Sequence, residues 1–124
     1  AGAGDGDKNV RYLRLGEVYL ILAEAANEMG NTAEATTALN TIRTRVKLPN
    51  TTATNQTDLR KAIWKERRLE LAFEHDRWFD LVRTKQAPEA MKADGKTFQE
   101  KHYLFPIPYE QLTQTPDMVK NPGY

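Results

Sequence analysis

The sequence predicts an all-α chain, built from tetratricopeptide-like helical hairpins of an α-α superhelix and closed by an irregular proline-rich C-terminal tail. Three observations carry that expectation. Apolar residues recur at three- and four-residue intervals through three long segments, as one face of a helix requires. Gly30, Asn31 and the Leu48-Pro49-Asn50 triplet punctuate those segments with stop and start signals. No stretch alternates with the two-residue period of a half-buried strand.

The first periodic segment runs from about Asn9 to Met29. Leu15, Val18, Tyr19, Leu22, Ala25, Ala26 and Met29 follow helical spacing, and Leu20, Ile21 and Ala23 make its middle apolar nearly all round. Such a helix is usually packed on two sides. Gly30 suits the left-handed position that ends a helix. Asn31 then caps a second helix, with Glu34 completing a capping-box-like pair. Its stripe is Ala35, Ala38, Leu39, Ile42 and Val46, and the short turn before it requires a hairpin. The Thr/Asn-rich stretch from Asn50 to Thr57 reads as an exposed loop. Thr57 or Asp58 can cap a third helix, beginning at Leu59, that runs to about Phe73 and continues through Arg83 in its longest form. A short segment near Ala87 to Ala93, a turn at Asp94-Gly95 and one helical turn at Tyr109 to Leu112 follow. Phe105-Pro106-Ile107-Pro108 must be extended, since proline drives its predecessor out of the helical region.

The opening hairpin has an internal signature. Tyr12, Leu15, Gly16 and Tyr19 match the W-x2-L-G-x2-Y opening of a tetratricopeptide repeat. Gly16 would let a neighbouring helix come close. Ala35 and Leu39 fall where that repeat wants its alanine and its large apolar residue. The unit is two turns longer than the standard repeat, so the same face still points inward.

Composition excludes several classes. The 124 residues are 40% hydrophobic and 28% charged with a net charge of +1, which asks for neither nucleic acid nor an anionic membrane. With no cysteine there is no disulfide and no thiolate metal site. His75 and His102 lack ligand spacing, and no phosphate-loop, GxSxG or dinucleotide fingerprint occurs, so no cofactor is expected. Asp5-Gly6-Asp7 lacks the rest of a calcium loop. Residues 1–10 read as a flexible leader, a loop or a cloning scar, and residues 11–124 as one helical region.

The segment from Ile63 to Glu74 is the most informative. On a helical wheel Leu59, Ala62, Ile63, Leu69 and Phe73 share an apolar face, and Glu66 and Glu70 fall in its middle. If the helix continues, Arg77 joins them, with Glu74 and Asp80 at the margin. Charges on an apolar face must be paired, or each costs several kcal/mol, about 3–5 when one partner is removed. Arg77 is the nearest partner in sequence, and Arg11, Arg43 and Arg45 are candidates from other helices. One reading makes Glu66 and Glu70 a glycosidase pair, but two glutamates stacked on one helix face do not flank a bond from opposite sides. The other makes Glu66, Glu70, Glu74, Arg77 and Asp80 a structural ion-pair lattice, and the sequence favours it. Trp64 and Trp78 offer the same choice between sugar-stacking platforms and core packing.

Five segments, in order, resemble one family. Arg11-Tyr12-Leu13-Arg14-Leu15-Gly16-Glu17-Val18-Tyr19-Leu20 with Ala23-Glu24-Ala25 opens the series, and Ala38-Leu39-Asn40-Thr41-Ile42-Arg43-Thr44-Arg45 follows. Glu66-Arg67-Arg68-Leu69-Glu70-Leu71-Ala72-Phe73-Glu74 continues into Arg77-Trp78-Phe79-Asp80-Leu81-Val82-Arg83. Phe105-Pro106-Ile107-Pro108 and Asn121-Pro122-Gly123-Tyr124 close it. Together they resemble the C-terminal region of the SusD/RagB family. His75 stands where that family usually has glycine, which implies a smoother passage through the helix, and Lys120 replaces the common glutamine. The resemblance implies a noncatalytic, lipid-anchored outer-membrane protein at the cell surface. Such a protein captures oligosaccharides for a TonB-dependent transporter, here with the segment as scaffold. It carries over no ligand-binding residue, which leaves Trp64 and Trp78 as the aromatic candidates. The alternative function is a tetratricopeptide-like adaptor for peptides or proteins.

Overall fold

The computed structural model describes residues 12–124. Six α-helices and one 3-10 turn make up its regular structure, and no strand occurs among the described residues. The helices are α1 (Leu15–Glu28), α2 (Thr32–Arg45), α3 (Gln56–Glu70), α4 (Arg77–Arg83), α5 (Ala87–Ala93) and α6 (Tyr109–Gln114). The chain divides into two compact units, one ending at His75 and the other opening at Asp76.

The first unit holds the main core. Leu20, Ala23 and Ala26 of α1, Ala35, Ala38, Leu39 and Ile42 of α2, and Leu59 and Ile63 of α3 are buried together with Leu71. Four of the buried residues on α1 and α2, Ala23, Ala26, Ala35 and Ala38, are alanines, whose small side chains allow neighbouring helices a close approach. Gly30, at φ 82°, turns the chain between α1 and α2. Asn31 caps α2 by accepting from the Glu34 amide at 3.3 Å, and its Nδ2 donates to the Glu34 carboxylate at 2.7 Å.

Three boundaries differ from the sequence expectation. Arg14 is extended, at φ −137° and ψ 160°, so α1 begins at Leu15; the expected start at Asn9 lies outside the described residues, as do the leader residues 1–10 and Arg11. Asn55, not Thr57 or Asp58, caps α3, because its side chain reaches the Asp58 amide at 2.9 Å. The third helix does not continue to Phe73 or Arg83. It stops at Glu70, with Phe73 at φ 67° and His75 at φ 69°. His75 therefore gives no smoother passage: it sits in the left-handed conformation that glycine adopts freely. The expected apolar face shortens accordingly, to buried Leu59 and Ile63, while Leu69 and Phe73 are exposed.

The second unit is smaller. Leu81 and Ala87 are buried, and Trp78, Phe98, His102 and Tyr103 form an aromatic cluster. The chain end folds back on it. Asn121 Nδ2 donates to the Phe105 carbonyl at 2.7 Å, and the Tyr124 hydroxyl donates to the Leu104 carbonyl at 3.0 Å. Gly123, at φ 88°, makes that return, and a side chain there would meet Lys101 at 2.9 Å.

Candidate functional site

The charged signature of α3 is turned inward, into the first unit. Glu66 accepts from Arg43 Nη1 at 2.6 Å, and its side chain is only 5% exposed. Arg43 also donates to the Pro49 carbonyl at 2.8 Å, so one guanidinium fixes both the end of α2 and the middle of α3. Glu70 lies between two arginines: Arg14 Nη1 and Arg45 Nη2 both stand 2.6 Å from its Oε1. Arg14 reaches further, donating through Nη2 to the Glu70 carbonyl and through Nε to Glu74 at 2.8 Å. Those bonds, to Glu74 first and Glu70 second, raise the Arg14 guanidinium above its usual range, and Arg14 holds the Glu74 carboxyl below its own. Arg67, also buried, stands 3.7 Å from Glu17 of α1.

Arg14 is the residue that sequence reasoning missed. It precedes α1, outside any periodic stripe, and so gave no helical-wheel signal. The readable clue was Gly16. A Cβ at that position would lie 2.5 Å from Arg14 Nη1 and 2.9 Å from Glu70 Oε1, so the bare glycine makes room for the ion pair. Arg77, by contrast, opens α4 and does not share a helix with Glu66 and Glu70. Asp80, on the same α4, accepts from Arg83 Nε at 2.8 Å.

The two tryptophans lie in different units. Trp64 of α3 is half-buried and donates its indole N–H to Glu24 of α1 at 3.1 Å. Trp78 of α4 is half-buried and packs against Phe98 at 6.5 Å between ring centroids. Phe98 in turn meets Tyr103 edge-on at 4.8 Å, with Lys85 Nζ 4.6 Å from the Tyr103 ring.

Chemically, the arrangement binds helices. The carboxylates of Glu66 and Glu70 have guanidinium partners and little exposure, so neither stands at an open cleft. No cluster of three metal-ligating side chains occurs among the described residues. No described helix is long and apolar enough to cross a membrane. A cavity of about 460 Å³ opens in the first unit between Arg14, Leu15, Tyr19, Ile42 and Arg45.

The SusD family model matches residues 1–99. The chain belongs to the SusD/RagB family. Two SusD-like proteins of Formosa agariphila illustrate the relationship. SusD-like protein P2 is 33% identical across the whole chain, and SusD-like protein P38 is 32% identical over 95% of it. The chain spans only about a quarter of their length, 28% and 25% respectively. A solved SusD-like protein from Bacteroides fragilis superposes with a TM-score of 0.80 at 33% identity, over 90% of this chain and 25% of that one. A SusD superfamily protein from Parabacteroides distasonis shares the fold, with a TM-score of 0.75 at 23% identity over 95% of this chain and 28% of its own. Within the SusD/RagB family chain, then, the acidic α3 signature is seen occupied by ion pairs between helices.

Proposed function

We propose that this chain is the helical scaffold of a noncatalytic, carbohydrate-binding nutrient-uptake protein. In this reading it is held at the outer-membrane surface by a lipid anchor and hands oligosaccharides to a TonB-dependent transporter. Membership in the SusD/RagB family carries the reading. The inward-turned signature supports the scaffold role, because Glu66, Glu70 and Glu74 are engaged by arginines from α2 and from the segment before α1. Trp64 and Trp78 act in it as packing residues, one tied to α1 and the other to Phe98. The test is glycan binding by the complete polypeptide, followed by calorimetry on any sugar that binds. Saturable oligosaccharide binding without hydrolysis is expected, with affinity changed less than threefold by Trp64→Phe. Binding to peptides and to no sugar would favour the adaptor function, and hydrolysis abolished by Glu66→Gln would restore the glycosidase.

A further inference from the structure

Histidine is the side chain whose charge ordinarily changes between about pH 5 and 8. Of the two in this chain, His102 lies in the 3-10 turn Glu100–Tyr103 and closes it. Its Nδ1 accepts the Gln99 backbone N–H at 3.1 Å, and the Gln99 side chain accepts from the His102 amide in return. That reciprocal pair is a capping box, which satisfies donors at the start of the turn. A ring nitrogen accepts only while it carries no proton, so the box requires a neutral imidazole protonated on Nε2. An imidazolium donates from both nitrogens, and its Nδ1–H would face the Gln99 N–H.

The same turn supports residues 121–124. The Tyr124 hydroxyl lies 3.0 Å from the Leu104 carbonyl and 3.3 Å from that of Lys101. Lys101 Nζ donates to the Gly123 carbonyl at 3.3 Å and stands 5.2 Å from the centre of the Tyr124 ring. With Asn121 on the Phe105 carbonyl, these contacts seat residues 121–124 on residues 101–105. The His102 ring is half-buried against Phe98, nearly perpendicular at 5.6 Å between centroids, and Phe98 also meets Trp78 and Tyr103. Lys101 and exposed Glu100 precede His102 in the turn, and Lys85, from the link after α4, stands over Tyr103. On α4, which reaches the cluster through Trp78, Asp80 is paired with Arg83. No ion pair reaches His102 among the described residues, so a charge gained there finds no partner in place.

We infer that His102 is an acid-sensitive latch for residues 121–124. With a neutral ring it holds the Glu100–Tyr103 turn on which they sit. A second proton on the ring breaks the capping box, loosens the turn and releases them. The latch is independent of what the protein binds. Its test is hydrogen exchange, corrected for the intrinsic effect of pH, on the complete product of the reading frame that contains this chain. Between about pH 7.5 and pH 5, protection of the Gln99 and Tyr124 amides should fall about fivefold, the worth of one hydrogen bond. Amides in the α1–α2–α3 core should keep theirs. His102→Gln retains an acceptor that does not titrate, so both amides should stay protected across the range. His102→Phe retains a ring without an acceptor, so both should exchange fast throughout. Protection of the wild-type Gln99 amide that does not change with pH would overturn the latch, whether or not either variant folds. So would a loss that persists in His102→Gln, or a loss at Gln99 with none at Tyr124.

Discussion

His75 shows how much a single backbone angle decides. Its φ of 69° is one that side chains with a Cβ adopt at a cost of about 1–2 kcal/mol, whereas glycine adopts it freely. Glycine also loses about 0.5–1 kcal/mol through its greater freedom in the unfolded chain. His75→Gly should therefore stabilise the protein by about 0.5 kcal/mol, seen as a higher urea midpoint at unchanged slope. An equal or lower midpoint would mean that the imidazole makes compensating contacts. Glu70 is the opposite case. Glu70→Ala strips Arg14 and Arg45 of a shared partner. Removing one side of a buried pair costs about 3–5 kcal/mol, but Arg45 is 60% exposed and Arg14 keeps Glu74, so a loss of about 2 kcal/mol is expected. An unchanged denaturation midpoint would contradict the structural role.

At the scale of elements, Gly16 couples α1 to the end of α3. Replacing glycine by alanine inside a helix normally gains about 1 kcal/mol. Here the added Cβ would press on Arg14 and Glu70, which hold each other in place. Gly16→Ala alone should lower stability by about 1 kcal/mol, and in the Glu70→Ala background it should raise it, a reversal within the usual range of coupling between touching residues. Additive effects would break the link. The same elements show what the sequence made legible. Gly30, Asn31 and the Ala35–Leu39 pair were readable because turn chemistry and helical period act locally. The true end of α3 was not, because apolar spacing runs on past Glu70 while the left-handed angles at Phe73 and His75 are imposed on residues with no preference for them. Arg14 was hidden for a related reason: its partners are 56 and 60 positions away, and no local pattern encodes such a contact.

The long-range ion pairs of the first unit should also set an acid limit for it. Arg60 holds the Glu28 carboxyl, and Arg14 the Glu74 carboxyl, below the ordinary value of 4.5 through guanidinium hydrogen bonds. A carboxyl depressed by folding contributes stability that is complete above the unfolded-state value and is lost as pH falls through the folded one. Thermal midpoints should hold steady down to about pH 5 and fall below 4.5, and Glu28→Gln with Glu74→Gln should flatten that acid limb. A limb as steep in the double variant would place the acid sensitivity elsewhere.

For the molecule as a whole, the decisive stretch joins the unit that ends at His75 to the one that opens at Asp76. Phe73 lies in it, fully exposed and outside any helix, between buried Leu71 and Glu74, whose amide donates to the Leu71 carbonyl and whose carboxylate Arg14 holds. Proteases cut exposed, non-helical backbone well before they cut helices. Tyr12 is exposed just ahead of α1, and the exposed aromatics within the fold are poorer targets: Phe79 is inside α4, Tyr109 begins α6, and Phe105 precedes a proline. Chymotrypsin under native conditions should therefore make its first cut beyond the start of α1 after Phe73, read by mass spectrometry. Phe73→Gly should remove that cut and leave the rest of the pattern unchanged. The fragment ending at Phe73 should keep its helical circular dichroism, because the α1–α2–α3 core and the Arg14–Glu70 and Arg43–Glu66 pairs all lie on its side of the break. First cleavage within α4 or α5 would contradict the exposed stretch as the weak point, and a fragment that loses its helicity would show that the core of the first unit depends on residues beyond Phe73.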